Sequence, residues 1–172
     1  SALNVNTTFY PTTSTTVVSW QDTAHSRAYF SPYNASTNPI GYATETERTT
    51  REHTLLQQAV NGVSSQNPDG LAVDGDGDNK VDNVCFIIKG ATDAWSSLLW
   101  PHRWALYSTM AYINGKRVYD YNFQIADHLA GSGVGVLAHE MFHSIGAPDL
   151  YHYTSNGITP VGSWDVMETT PI

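Results

Sequence analysis

The run His139-Glu140-Met141-Phe142-His143 sets two imidazoles four residues apart, with a carboxylate beside the first. On a helix, residues four apart stand one turn above each other, so both rings can reach a single ion. Glu140 projects toward the same cavity without having to ligate, which suits a general base. The continuation Gly146-Ala147-Pro148-Asp149 completes the pattern. Gly146 lets the chain leave the helix in a left-handed conformation, and Pro148 stiffens the turn. That return delivers Asp149 as an oxygen ligand and leaves a fourth position for water. Two nitrogens, one oxygen and an open position suit catalytic zinc, and the chemistry is that of a metallohydrolase. The competing reading is a chance motif on a solvated surface helix. Against it stands the apolar run Val134, Val136, Leu137, Ala138, Met141, Phe142 and Ile145, which predicts a largely buried helix over 133–145. Buried His and Glu need partners, and a metal supplies one.

Two further groups carry chemistry. Ser163-Trp164-Asp165-Val166-Met167 follows the first motif closely enough for Met167 to be a Met-turn residue, its thioether filling space beneath the imidazoles. Asp74, Asp76, Asp78 and Asp82 occupy positions 1, 3, 5 and 9 of a Gly-punctuated loop that can curl oxygens onto a structural calcium. The loop is not a complete EF-hand, since Asn79 and Cys85 stand where Gly and Glu would be. A solvated acidic turn is the alternative.

Taken together, these motifs resemble the immune inhibitor A family of secreted bacterial metallopeptidases, a metzincin-like branch of the zincins with Asp in place of the usual third His. Gly146-Ala147-Pro148-Asp149-Leu150-Tyr151 is similar to the family's Gly-x-Pro-Asp-x-Tyr. The acidic loop before residues 84–88 and Trp100-Pro101-His102-Arg103-Trp104 also look like family features. The resemblance runs from Asp74 to Met167. It implies an α/β zincin fold with a mixed sheet, an active-site helix and a Met-turn. It implies zinc held by His139, His143 and Asp149, with Glu140 as general base. Family domains begin with a strand and helix that have no counterpart ahead of residues 1–11, and they continue past the segment after Met167. Residues 1–172 are therefore read as one catalytic domain in fragment form, with an N-terminal segment missing or separate.

Composition narrows the partners. Charged residues make up only 14% of the 172, against about a quarter in ordinary domains, and Thr, Ser, Asn and Tyr carry the polarity. That surface suits a secreted protein. A net charge of −8 argues against nucleic acid and anionic membranes, which need clustered Lys and Arg. No stretch is long enough to span a bilayer. Cys85, the single cysteine, can form no internal disulfide and is expected in the core of a buried strand over 81–89.

The elements around the site follow from pattern. Residues 1–45 read as loop, with one strand near 16–20. A helix is expected over 46–61, supported by Glu47–Arg51 and Arg48–Glu52 pairs, with Leu55, Leu56, Ala59 and Val60 as its apolar edge. Asn114-Gly115 predicts a two-residue hairpin turn joining 107–113 to 116–123, a candidate edge for docking an extended peptide. His102 and Tyr151 are candidate cleft residues; a core-edge histidine hydrogen-bonded to backbone is the favoured alternative for His102, and a packed loop the alternative for Tyr151, while His25, His53 and His128 lack ligand spacing and are expected on the surface. The reading is a zinc endopeptidase acting on extracellular proteins by Glu140-assisted attack of water. The rivals are a calcium-stabilised adhesion module with a vestigial zinc site and a small-amide hydrolase of the same class.

Overall fold

The computed structural model describes residues 18–66, 70, 72–152 and 161–168. The strand expected near 16–20 falls partly outside them, and residues 18–20 are irregular. Among the described residues, a 3-10 turn, Arg27–Phe30, precedes the first helix, α1, which spans Glu45–Gly62. Thr44 caps α1 by accepting the Glu47 amide at 3.2 Å, and the Glu47 carboxylate reaches back to the Ala43 amide at 2.6 Å. This reciprocal cap satisfies amide groups that the helix start leaves unpaired. The expected i,i+4 ion pairs do not form. Arg48 pairs with Glu45 instead, and Arg51 lies 3.9 Å over the Tyr29 ring and donates to the Ile40 carbonyl. Glu52 is buried with Leu55, Leu56 and Val60, and so is His53, whose lack of ligand spacing predicts the surface.

Strands β1 (Val84–Ile88), β2 (His102–Ala105) and β5 (Asp120–Ile125) make a mixed sheet in the order β1-β5-β2. β1 runs parallel to β5, and β2 antiparallel. Val84, Phe86 and Ile88 stand in register with Tyr121, Phe123 and Ile125 and, with Leu56 and Val60, build the core. On the opposite face lie Asp120, Asn122 and Gln124, because side chains alternate along a strand. Helix α2 (Ala126–Ser132), which the sequence reading missed, leads from β5 into α3 (Gly135–Ser144). α3 lies over β5 and β2 on that second face.

This placement corrects two burial expectations. α3 packs chiefly on β5 and β2, and Cys85 and Ile87 of β1 are exposed instead of buried. Only Val136, His139 and Glu140 of α3 are buried, while Val134, Phe142 and Ile145 face outward. The hairpin turn forms as expected, with Asn114 at φ 49° and Gly115 at φ 79°. Its strands are short, however: β3 (Tyr112–Ile113) pairs with β4 (Lys116–Arg117) in a separate two-stranded sheet. Among the described residues, β2 is the antiparallel edge strand beside α3, with no strand on its outer side.

Candidate metal centre and general base

α3 carries His139 and His143 on one face, and Gly146, at φ 94°, ends the helical path. The amide of Ala147 closes on the Phe142 carbonyl at 3.0 Å, and that of Gly146 on the His143 carbonyl at 3.0 Å. The chain then turns back and brings Asp149 to both imidazoles. Its Oδ1 lies 3.1 Å from His139 Nε2 and 3.2 Å from His143 Nε2, and the two Nε2 atoms are 3.2 Å apart. Around zinc with bonds near 2.0–2.1 Å, the edge of a tetrahedron is about 3.3–3.4 Å. The three donor atoms are thus spaced as such an ion requires.

The tautomers agree with that use. His139 Nδ1 donates to the Val166 carbonyl at 2.9 Å, and His143 Nδ1 donates to the Ala147 carbonyl at 2.8 Å. A carbonyl oxygen can only accept, so each Nδ1 carries a hydrogen, and a ring holding no second proton turns a bare Nε2 lone pair inward. Converging lone pairs and a carboxylate oxygen repel one another unless a cation or protons lie between them.

Glu140 is buried beside them. Burial pushes its carboxyl above the usual range, opposed by the imidazoles of His139, His143 and His102. Tyr151 stacks on His139, with ring centroids 6.3 Å apart and planes 18° apart. The turn carrying Met167 is tied to the site twice, through the Val166 carbonyl and through the Leu150 amide, which donates to the Met167 carbonyl at 2.9 Å. Met167 itself is buried.

His102 points to the other face of the sheet, stacked on Phe123 at 5.0 Å. Its Nε2 meets Glu52 Oε1 at 2.9 Å, and its Nδ1 donates to the Trp100 carbonyl at 2.6 Å. Tyr121 donates its hydroxyl to the same Glu52 oxygen. Asp120 forms a second polar knot. It receives Asn83 Nδ2 at 2.8 Å, Ser144 Oγ at 2.9 Å and the Arg103 guanidinium, joining β5, β2 and the end of α3. Neither knot was foreseen. The one available signal was Glu52 itself, a carboxylate on the apolar stripe of α1 that would need a partner.

In the acidic loop, Asp74, Asp76 and Asp78 bring carboxylate oxygens within 4.8 Å of one another. Asp82 is not among them; both its oxygens instead accept the Gly75 amide at 3.1 Å. Lys116 Nζ sits 2.7 Å from Asp74 Oδ2, and Lys80 pairs with Asp78, so part of the negative charge is already offset.

Comparison with known proteins identifies the class and then the family. Residues 7–171 match the family model "Immune inhibitor A peptidase M6, catalytic domain", which sets this mixed α/β domain among the metallopeptidases. The chain is also 34% identical over 131 residues to Immune inhibitor A of Bacillus thuringiensis subsp. alesti, an alignment covering 64% of this chain and 17% of that protein. The chain belongs to the immune inhibitor A family of M6 peptidases. It spans less than a fifth of the length of the curated relative it matches. Among the described residues, no helix is long and apolar enough to cross a membrane.

Proposed function

We propose that this domain is the zinc-dependent catalytic part of a secreted endopeptidase that cuts peptide bonds within extracellular proteins. The observation that carries this reading is the convergence of His139 Nε2, His143 Nε2 and Asp149 Oδ1 at 3.1–3.2 Å, with Glu140 alongside. These three residues hold the ion. Zinc in such a site supplies Lewis acidity, polarising a carbonyl and making water nucleophilic near neutral pH. Glu140 takes the proton of the attacking water and passes it to the departing amine. Its raised proton affinity, set by burial, suits both transfers. The open edge of β2, next to Glu140, is the place for an extended substrate to pair by main-chain hydrogen bonds, in place of the β3–β4 hairpin. In this reading the fold is a zincin, the turn at Met167 is its Met-turn, and Tyr151 flanks the cleft. Family membership does not favour an adhesion module or a small-amide hydrolase.

The test is incubation of the zinc-loaded protein with a denatured protein substrate, followed by mass spectrometry of the products. Internal cuts that vanish with a chelator and return with zinc are expected. Activity confined to formyl-peptides, or none with zinc bound one per chain, rejects the proposal.

A structural calcium at Asp74, Asp76 and Asp78 is the second part of the proposal, supported by their clustering. Calorimetric titration is expected to give a dissociation constant of about 0.1–1 mM, as in extracellular calcium modules, weakened in Asp76→Asn. No heat at several millimolar calcium would mean that Lys80 and Lys116 alone neutralise the loop.

A further inference from the structure

We propose that Asp120 and Asn83 are positioning residues for the metal centre, acting through Ser144 to fix the last turn of α3, which carries His143. The inference rests on the reading of His139, His143 and Asp149 as metal ligands. Three side chains from separate segments close on one another. Ser144 Oγ donates to Asp120 Oδ1 at 2.9 Å. Asn83 Nδ2 donates to the same carboxylate oxygen at 2.8 Å and to Ser144 Oγ at 3.0 Å. The other oxygen, Asp120 Oδ2, holds the Arg103 guanidinium of β2. Asp120 opens β5, and Asn83 stands immediately before β1. The end of α3 is thereby tied to β5, to β2 and to the entry of β1.

Side chains four apart on a helix share a face, so Val136, Glu140 and Ser144 form one stripe of α3. Val136 and Glu140 are buried, and Ser144 carries their contact with the sheet one turn further. Apolar cover fails over that turn, where Phe142 is 43% and Ile145 54% exposed. A ten-residue helix with little apolar packing at its end frays there unless a specific contact holds it. The Gly146 amide on the His143 carbonyl and the Ala147 amide on the Phe142 carbonyl stay within the turn. They set its shape but not its place on the sheet. His143 adjoins Ser144 in the chain, and its Nε2 stands 3.2 Å from both His139 Nε2 and Asp149 Oδ1. His139, one turn earlier, is buried and bonded to the Val166 carbonyl. The Ser144 tether therefore keeps the second imidazole one turn above the first, where a single ion can reach both.

Ser144→Ala removes one oxygen and leaves a residue that favours helix. Its zinc affinity per folded chain, measured by competition with a chromophoric chelator, should fall about tenfold or more, as when groups that orient metal ligands are lost. In the metal-free chain, the Gly146 and Ala147 amides should exchange about tenfold faster than in the parent. Asn83→Ala should weaken zinc binding as well. The double variant should bind no more than about twofold more weakly than Ser144→Ala, because both changes act through one hydroxyl. Asp120→Asn takes the place of Asn83→Ala in this comparison if the latter does not fold. A tether that serves stability alone would lower the metal-free melting temperature and leave the affinity of the folded chain as it was. Unchanged affinity in Ser144→Ala therefore overturns the proposal, as does unchanged exchange, or losses that multiply in the double variant. If the parent binds no zinc, the metal reading fails, and the exchange rates still decide whether the tether holds this turn.

Discussion

Substituting Glu140→Gln is expected to lower kcat/KM for peptide hydrolysis by about 10²–10⁴-fold, the range over which a positioned general base contributes, while zinc still binds one per chain. The two effects separate because Glu140 is not one of the three converging donors. Gln keeps the side chain's length and shape, so the cavity keeps its form. What disappears is the capacity to take a proton. Burial opposes the charged form of Glu140, so the neutral amide should leave the melting temperature unchanged or raise it. A variant that retains a tenth or more of the parental activity would show that another group performs the proton transfer.

His143→Ala should have the opposite pattern of effects, removing metal and activity together. In the parent, zinc at 1,000 times its dissociation constant adds about 4 kcal/mol of stability, because it binds only the folded chain. The variant keeps two of three donors and should lose most of that zinc-dependent rise in melting temperature. Its metal-free stability should differ little, since the ring is partly open to solvent and its loss also relieves the crowding of His139 Nε2, His143 Nε2 and Asp149 Oδ1. The parent's zinc affinity should also fall on acidification, as protons compete for the imidazoles and the carboxylate. Zinc binding to His143→Ala at parental affinity would show that the ion sits elsewhere.

How much of this could be read from the sequence depended on distance along the chain. His139, Glu140, His143 and Asp149 lie within eleven consecutive residues, and helical spacing with a glycine exit places them from local geometry alone. The Asn114-Gly115 turn was legible for the same reason. Contacts that close between distant segments were not. Glu52 and His102 are 50 positions apart, and β1 meets β5 across α-less loops and a whole hairpin. Their pairing depends on which strands become neighbours, which no window of sequence encodes. Burial misled wherever hydrophobicity was taken as proof of cover. Cys85, Ile87, Phe142 and Ile145 are apolar but lie on surfaces that the described elements leave open. His53 shows the converse: a polar ring with no ligand spacing, fully buried against Tyr107 and Tyr121.

His139 and His143 are oriented by the carbonyl oxygens of Val166 and Ala147, groups that every amino acid carries. Side chains at these two positions can therefore drift during evolution without disturbing the rings, provided the main-chain path survives. Gly146, at φ 94°, has no such latitude, because a side chain there would strain that path. Divergent relatives could thus keep an intact centre while sharing almost no identity at the positions that aim it, and kinship at those points would be visible only in the course of the backbone.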